Sequence, residues 1–72
     1  MDTAKSITTG FATYSVGAWV GYGRISSIGV IEKEYGIECN LYVKQIDSNL
    51  EEHWKTVFSN DIEINYLPEA AL

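Results

Sequence analysis

Hydrophobic and polar residues alternate through the middle of the chain. Between residues 12 and 22 the even positions are apolar or aromatic: Ala12, Tyr14, Val16, Ala18, Val20 and Tyr22. Between residues 37 and 46 the odd positions are apolar instead: Ile37, Cys39, Leu41 and Val43. A period of two is typical of β-strands that bury one face. The pattern therefore predicts a β-meander that extends from Val16 to Ile46.

The strand predicted between these two, at residues 25–34, changes the phase of its apolar positions. Ile25 is at an odd position, whereas Ile28 and Val30 are at even positions. A phase shift around an interior glycine is what a β-bulge or a sharp bend would produce. We therefore expect a bulge or a bend at Gly29.

A hairpin turn and a last strand complete this pattern. Tyr35 and Gly36 predict the turn into the third strand, because glycine adopts a positive φ at little steric cost. Near the C-terminus, Ile62, Ile64 and Tyr66 alternate with polar residues. This alternation predicts a short closing strand.

The segment between these strands supports two interpretations. Ser48 is followed three residues later by Glu51, which matches the capping box at the start of a helix. Three apolar residues would share one helical face: Leu50, Trp54 and Val57. These features predict a short helix near residues 49–58. The competing interpretation makes residues 53–58 a strand, because short apolar runs are ambiguous.

These patterns predict a mainly β fold of the α+β class. We expect a small curved antiparallel sheet or barrel of four to five strands, with one short helix near residues 49–58. At 72 residues, the chain is close to the lower limit for a single core, so residues 1–72 are expected to form one domain. Residues 1–9 are polar and are expected to be frayed.

The charges are distributed unevenly along the chain. Residues 1–46 carry as many acidic as basic side chains, so the whole net charge of −5 comes from residues 47–72. The acidic surface predicted there contains Glu51, Glu52, Asp61 and Glu63. Such a surface disfavours direct binding to nucleic acid, and it favours a basic protein partner or imitation of a phosphate backbone. The alternative is that these side chains only keep the protein soluble.

Three aromatic residues are candidate anchors for a partner: Trp19, Tyr22 and Tyr42. Trp19 lies on the strand face opposite the apolar series and is close to Gly17 and Gly21. It would either pack into a second small core or remain exposed as a contact anchor, a role that tryptophan often has at the centre of interfaces.

Most kinds of site chemistry lack the residues that they need. The chain contains one cysteine and one histidine, so one copy cannot build a disulfide framework or a zinc site. Cys39 is expected to be a buried apolar residue, and His53 has no nucleophile motif near it. A phosphate loop and a complete dinucleotide motif are also missing. We therefore expect no catalytic residues, no metal and no cofactor, and the chain is more consistent with a binding protein than with an enzyme.

The expected location is the cytoplasm. The first residues do not combine a charged start with an apolar run, as a secretory signal does. No segment approaches the roughly 20 apolar residues that a membrane span needs. We therefore expect no association with a membrane.

Several segments resemble small SH3-like β-barrels. They are WVGYGRISSIGVI, the turn at YG, ECNLYVKQI and the closing IEINYLPEAAL. The resemblance implies an SH3-like barrel. The closing segment is also loosely similar to the end of the plasmid-type dihydrofolate reductases, which are tetrameric barrels with an active pore. Those enzymes carry Val-Gln-Ile-Tyr where this chain has Ile-Glu-Ile-Asn-Tyr.

Two functional hypotheses follow. The first is a non-enzymatic protein–protein interaction module, such as a small accessory or mobile-element protein, whose acidic C-terminal surface binds a basic partner or mimics nucleic acid. The second is a subunit of a homo-oligomeric small-ligand-binding protein or enzyme with a site between subunits. In a purely structural version of the oligomer, Trp19 would pack against its symmetry mate.

Overall fold

A computed structural model of the protein describes residues 2–21 and 23–67. In this part of the chain there are seven strands, and each pair of neighbouring strands is antiparallel. The strands are β1 (Asp2–Thr8), β2 (Thr13–Ser15), β3 (Trp19–Val20), β4 (Gly23–Lys33), β5 (Gly36–Gln45), β6 (Glu51–Ser59) and β7 (Glu63–Tyr66). The structure is therefore mainly β, as the sequence pattern predicts.

The hairpin of β4 and β5 is the longest paired unit. It extends from the pair Gly23 and Gln45 to the pair Lys33 and Gly36, so the predicted hairpin is confirmed, with its turn at residues 34–35 rather than at Tyr35 and Gly36. β6 pairs with the other side of β5. The apolar alternation of β5 is also confirmed, because Cys39, Leu41 and Val43 are all fully buried.

The sheet is curled, and β1 joins its parts by pairing with three other strands. The first residues of β1 pair with β4, its last residues pair with β2, and its other side pairs with β7. The result is a curled antiparallel half-barrel whose concave side holds the core. The buried apolar residues are Ala4, Ile7, Ile25, Ile28, Val30, Cys39, Leu41, Val43 and Ile62.

The phase shift in β4 has a different origin from the one expected. The pairing of β4 with β5 is regular at Gly29, which lies opposite Asn40, and it shifts between Ile25 and Ser27. The extra residue is Ser26. A bulge there moves the following apolar residues from odd to even positions. The bulge or bend predicted at Gly29 is therefore wrong in its position.

The short helix predicted near residues 49–58 is wrong. Residues 51–59 form β6, the described residues contain no helix, and hence there is none that could cross a membrane. The register of β6 shifts beside Leu41 and Tyr42, where Trp54 is the extra residue. This bulge produces the spacing of three between Trp54 and Val57 that imitates a helical face. Leu50, the third residue of that face, is 75% exposed.

The two residues of the apparent capping box have other roles. The Ser48 hydroxyl accepts a hydrogen bond from the Leu50 amide in a local turn, at 3.1 Å. The Glu51 carboxylate accepts hydrogen bonds from the hydroxyls of Ser26 and Ser27 on β4. The motif therefore satisfies a turn and a strand contact, and it caps no helix.

Residues 2–8, expected to be frayed, form β1 at the centre of the fold. Ala4 and Ile7 are fully buried, and the pairing with β7 shifts at the intervening Lys5. The bulge places the two apolar residues three positions apart. This spacing hides the strand, because a period of two is what marks a strand in a sequence.

The first predicted strand is divided into β2 and β3 by a bend at Gly17. This glycine has a φ of 93°, a conformation that other residues rarely adopt. Its amide donates to the Ile25 carbonyl at 2.8 Å, and the Ile25 amide donates to the Ala18 carbonyl at 3.0 Å. The bend is therefore fixed to β4 on both sides of Gly17.

Candidate functional site

An open cleft lies where β3 joins the β4–β5 hairpin. It has a volume of about 480 Å³. Its lining includes the exposed apolar side chains of Val16, Trp19 and Ile46 and the cationic side chains of Arg24 and Lys44. Its volume lies within the range of small-ligand pockets, which is roughly 300–1,000 Å³.

Backbone pairing fixes the position of Trp19 in this cleft. Trp19 lies directly opposite Arg24, and Val20 lies opposite Gly23. A Cβ atom at Gly23 would lie 2.5 Å from the Lys44 carbonyl oxygen, so the chain can pass this close to β5 only with glycine there. Pairing of β3 with β4 therefore fixes the backbone at Trp19, and β4 itself lies close to β5 at Gly23.

The indole is exposed. Trp19 is 59% exposed, and the Arg24 guanidinium carbon lies 4.8 Å from the centroid of its ring. This distance allows a cation–π contact, which favours one orientation of both side chains. Of the two expectations for Trp19, the structure has the exposed indole rather than the second small core.

Four residues form a row across four strands at the cleft. Trp19 pairs with Arg24, Arg24 pairs with Lys44, and Lys44 pairs with Glu51. Two cations therefore lie directly opposite each other. Within residues 2–21 and 23–67 the only ion pair joins Lys33 to Glu38, so neither cation of the row is neutralised by a carboxylate there.

The predicted acidic surface is divided into two groups. Glu51 and Glu52 begin β6, whereas Asp61 and Glu63 follow its end. A strand advances about 3.3 Å per residue, so the two ends of β6 are roughly 26 Å apart. The four residues are all exposed but do not form one continuous patch.

The other predicted anchors lie away from the cleft or cannot be placed. Tyr42 is half-buried beside Ser27 and His53, with its ring edge-on to the imidazole at 5.6 Å, and it does not line the cleft. Tyr22 lies outside the residues that the structure describes. Of the predicted binding residues, Trp19 lines the cleft and Glu51 lies on the same row.

A chain of hydrogen bonds crosses the same face of β5 and β6 from Glu38 to His53. The Asn40 amide nitrogen donates to Glu38 at 3.2 Å, and the Thr56 hydroxyl donates to the Asn40 oxygen at 2.7 Å. Thr56 has only one hydroxyl proton, so its contact with the His53 Nε2 atom at 2.8 Å requires that Nε2 donates. The network therefore fixes a proton on this nitrogen.

The charge at the other end of this chain is stabilised by two hydrogen bonds. Glu38 accepts hydrogen bonds from Asn40 and from the Lys33 ammonium, the latter at 3.1 Å. The hydrogen bond from Asn40, followed by that from Lys33, lowers the pKa of the Glu38 carboxyl below its usual value. Glu38 is therefore a stable acceptor for the network.

The single cysteine of the chain lies outside this network. Cys39 is fully buried on the opposite face of β5, and this burial, followed by the nearby Glu38 charge, raises the pKa of its thiol. A buried thiol with a raised pKa is a poor nucleophile. Among the described residues no three acidic, histidine or cysteine side chains form a metal-binding cluster.

Comparison of the chain with protein-family models, curated proteins and solved structures found no match. The geometry of the cleft therefore carries the functional argument. It offers a flat aromatic surface beside two cations, and this arrangement can hold an apolar group together with an anion.

Proposed function

We propose that this protein is a non-enzymatic protein–protein interaction module that binds an extended segment of a partner in the cleft around Trp19. The observation that carries the proposal is an exposed indole held by a strand pair and by the Arg24 guanidinium. Tryptophan and arginine are enriched among the residues that contribute most to binding at interfaces. Because the indole is already positioned, binding would cost little side-chain entropy.

An SH3-like barrel is part of this proposal. The order of strand pairing supports it: β7 pairs with β1, β1 pairs with β4, and β4, β5 and β6 follow as a meander. In this arrangement the first and last strands are neighbours, which closes one side of a small barrel. In such a barrel, the bend between β2 and β3 would put Trp19 at the rim.

The acidic groups would contribute at longer range. The net charge of −5 and the exposure of Glu51, Glu52, Asp61 and Glu63 support a partner whose overall charge is basic. Their separation into two groups gives less support to mimicry of a continuous phosphate backbone. We place the protein in the cytoplasm, where a free buried thiol such as that of Cys39 is common.

A homo-oligomer with a ligand site between subunits is the second candidate. Three aromatic side chains outside the cleft support it, because Phe11 is fully exposed and Tyr35 and Phe58 are at least half exposed. Tyr35 and Phe58 also contact each other, with ring centroids 6.3 Å apart. Such residues can pack against a second copy.

The test compares three proteins in parallel: the unaltered chain, Trp19→Ala and Phe11→Ala. Each is used for affinity capture from a cytosolic lysate with quantitative mass spectrometry, and its own mass is measured by light scattering. We expect a stoichiometric partner that is lost with Trp19→Ala and retained with Phe11→Ala, which removes an even more exposed aromatic outside the cleft. A partner retained equally by all three would overturn the cleft as the binding site. A stable oligomer would favour the second candidate.

A further inference from the structure

We infer that the partner segment bound in this cleft carries a carboxylate next to an apolar side chain, and that the carboxylate lies between Arg24 and Lys44. This inference rests on the proposed function of the cleft as a site for a partner segment.

Arg24 and Lys44 form a pair of cations that no salt bridge neutralises within the described residues. Arg24 and Lys44 are directly opposite each other on neighbouring strands. Side chains at such positions have Cβ atoms about 4.5–5.5 Å apart, and like charges there repel each other. Within the described part of the chain, neither residue forms a salt bridge with a carboxylate, although Glu51 is opposite Lys44 on the next strand. A carboxylate placed between them would remove the repulsion.

The Arg24 side chain lies over the Trp19 ring. Its guanidinium carbon lies 4.8 Å from the centroid of the Trp19 ring. A guanidinium carries five N–H donors, and contact with a single indole ring can engage only some of them, which leaves donors available. Carboxylates accept two parallel hydrogen bonds from this group.

An apolar wall lies beside these two cations in the cleft. Val16, Trp19 and Ile46 line the same cleft, and Ile46 is 73% exposed. When a partner covers exposed apolar groups of this kind, their burial favours the bound state. The segment is therefore expected to carry an aromatic or aliphatic residue within one or two positions of its acidic residue.

Charge also distinguishes a single carboxylate from a polyanion. Only two cations line the cleft, and Glu51 continues the row beyond Lys44. The chain as a whole carries a charge of −5, which repels a nucleic acid phosphate backbone. A single carboxylate can be balanced by these two cations, whereas a chain of phosphates cannot, so an acidic peptide is favoured over an oligonucleotide.

The experiment uses the full chain to select from a displayed library of random twelve-residue peptides. We expect the recovered peptides to contain Asp or Glu close to Trp, Phe, Leu or Ile. The best binder is then synthesised in two forms. One carries the Glu or Asp, and the other carries the corresponding amide, Gln or Asn, at the same position. We expect the amide form to bind about tenfold more weakly, because charge-assisted hydrogen bonds are lost.

Variants of the protein separate the possible outcomes. Arg24→Gln and Lys44→Gln should each weaken the acidic peptide by a similar factor, whereas Lys5→Gln, an exposed lysine on β1, should not change its affinity. Thermal unfolding of all three variants checks that they are folded. If the peptides are neutral and bind in a manner that needs Trp19 but neither cation, the carboxylate is wrong and the cleft remains the binding site. If Trp19→Ala binds every recovered peptide as well as the unaltered chain, both proposals are overturned. Tighter binding of an oligothymidylate than of any peptide would also overturn the inference.

Discussion

The ammonium nitrogen of Lys55 lies 3.1 Å from the hydroxyl oxygen of Tyr14, on the core side of the sheet. Lys55 is opposite Leu41, which is fully buried, so both residues are on the same face. The ammonium nitrogen is also 5.5 Å from the centroid of the Trp54 ring. β6 is the last strand of the path from β2 through β1, β4 and β5, so this charge points inward from an edge strand. Inward-pointing charges are one means by which edge strands avoid pairing with other chains.

Replacement of this lysine is therefore expected to cause self-association. Lys55→Val removes this inward charge and puts a residue of high strand propensity in its place on the edge strand β6. We expect a dimer or larger species that forms as the protein concentration rises, detected by sedimentation velocity. Lys5→Val is the control, because this exposed lysine is on β1, which is paired on both sides. If Lys55→Val remains monomeric at every concentration where Lys5→Val does, the charge does not protect the edge.

Two neighbouring acidic residues should differ in their contribution to stability. The Glu51 carboxylate accepts hydrogen bonds from Ser26 and Ser27, whereas Glu52 makes no side-chain hydrogen bond within the described residues. Glu51→Gln is expected to lower the free energy of unfolding by about 1 kcal/mol, because it weakens these charged hydrogen bonds. The loss is no larger because water partly screens an exposed charge. Glu52→Gln should change it by less than about 0.5 kcal/mol. Urea unfolding of both variants makes the comparison, and equal effects would contradict the role assigned to Glu51.

Removal of a core side chain should cost far more than removal of an exposed one. Ile28 is fully buried between the two parts of the sheet, whereas Phe11 at the tip of the turn after β1 is fully exposed. Ile28→Ala is expected to destabilise the fold by about 2–5 kcal/mol, in a chain whose whole stability is of that order. Phe11→Ala is expected to change it by less than about 0.5 kcal/mol. Thermal unfolding measures both, and a large loss with Phe11→Ala would mean that its ring packs against the protein.

The sequence was sufficient to predict the β4–β5 hairpin because its signals are local. The turn glycine, Gly36, is next to the chain reversal, and the three apolar residues of β5 alternate without interruption. Both features depend only on residues close in sequence. The same holds for the exposure of the acidic residues, since charged side chains are rarely buried.

β1 was missed, and a helix was preferred to the alternative of a strand at β6, because bulges change the apolar period. Bulges at Lys5, Ser26 and Trp54 each add a residue, so a period of two becomes a local spacing of three. In β6 this spacing imitated a helix, and in β1 it concealed a strand. A single sequence does not reveal where a bulge occurs, because the reason for it is packing against another strand.

The cleft was only partly predictable for a related reason. Trp19 was singled out from its neighbouring glycines, whereas Arg24 and Lys44 were not. Counting outward from the turn next to Gly36 places Arg24 opposite residue 45, and the bulge at Ser26 moves its partner to Lys44. The hairpin was therefore a usable signal for the pair of cations, to within one residue.

Acid should destabilise the protein partly through Glu38. Its pKa is lowered in the folded state, mainly by the hydrogen bond from Asn40 and then by that from Lys33, from an ordinary value of 4.5. A carboxyl with a depressed pKa contributes stability above its unfolded pKa, and this contribution is lost as the pH falls through the folded pKa. Below about pH 4.5 the unaltered chain should therefore lose stability more steeply than Glu38→Gln. Carboxyl titration by NMR should also place the pKa of Glu38 higher in Asn40→Ala than in Lys33→Ala. The reverse order would mean that the ion pair, rather than the amide, controls this carboxylate.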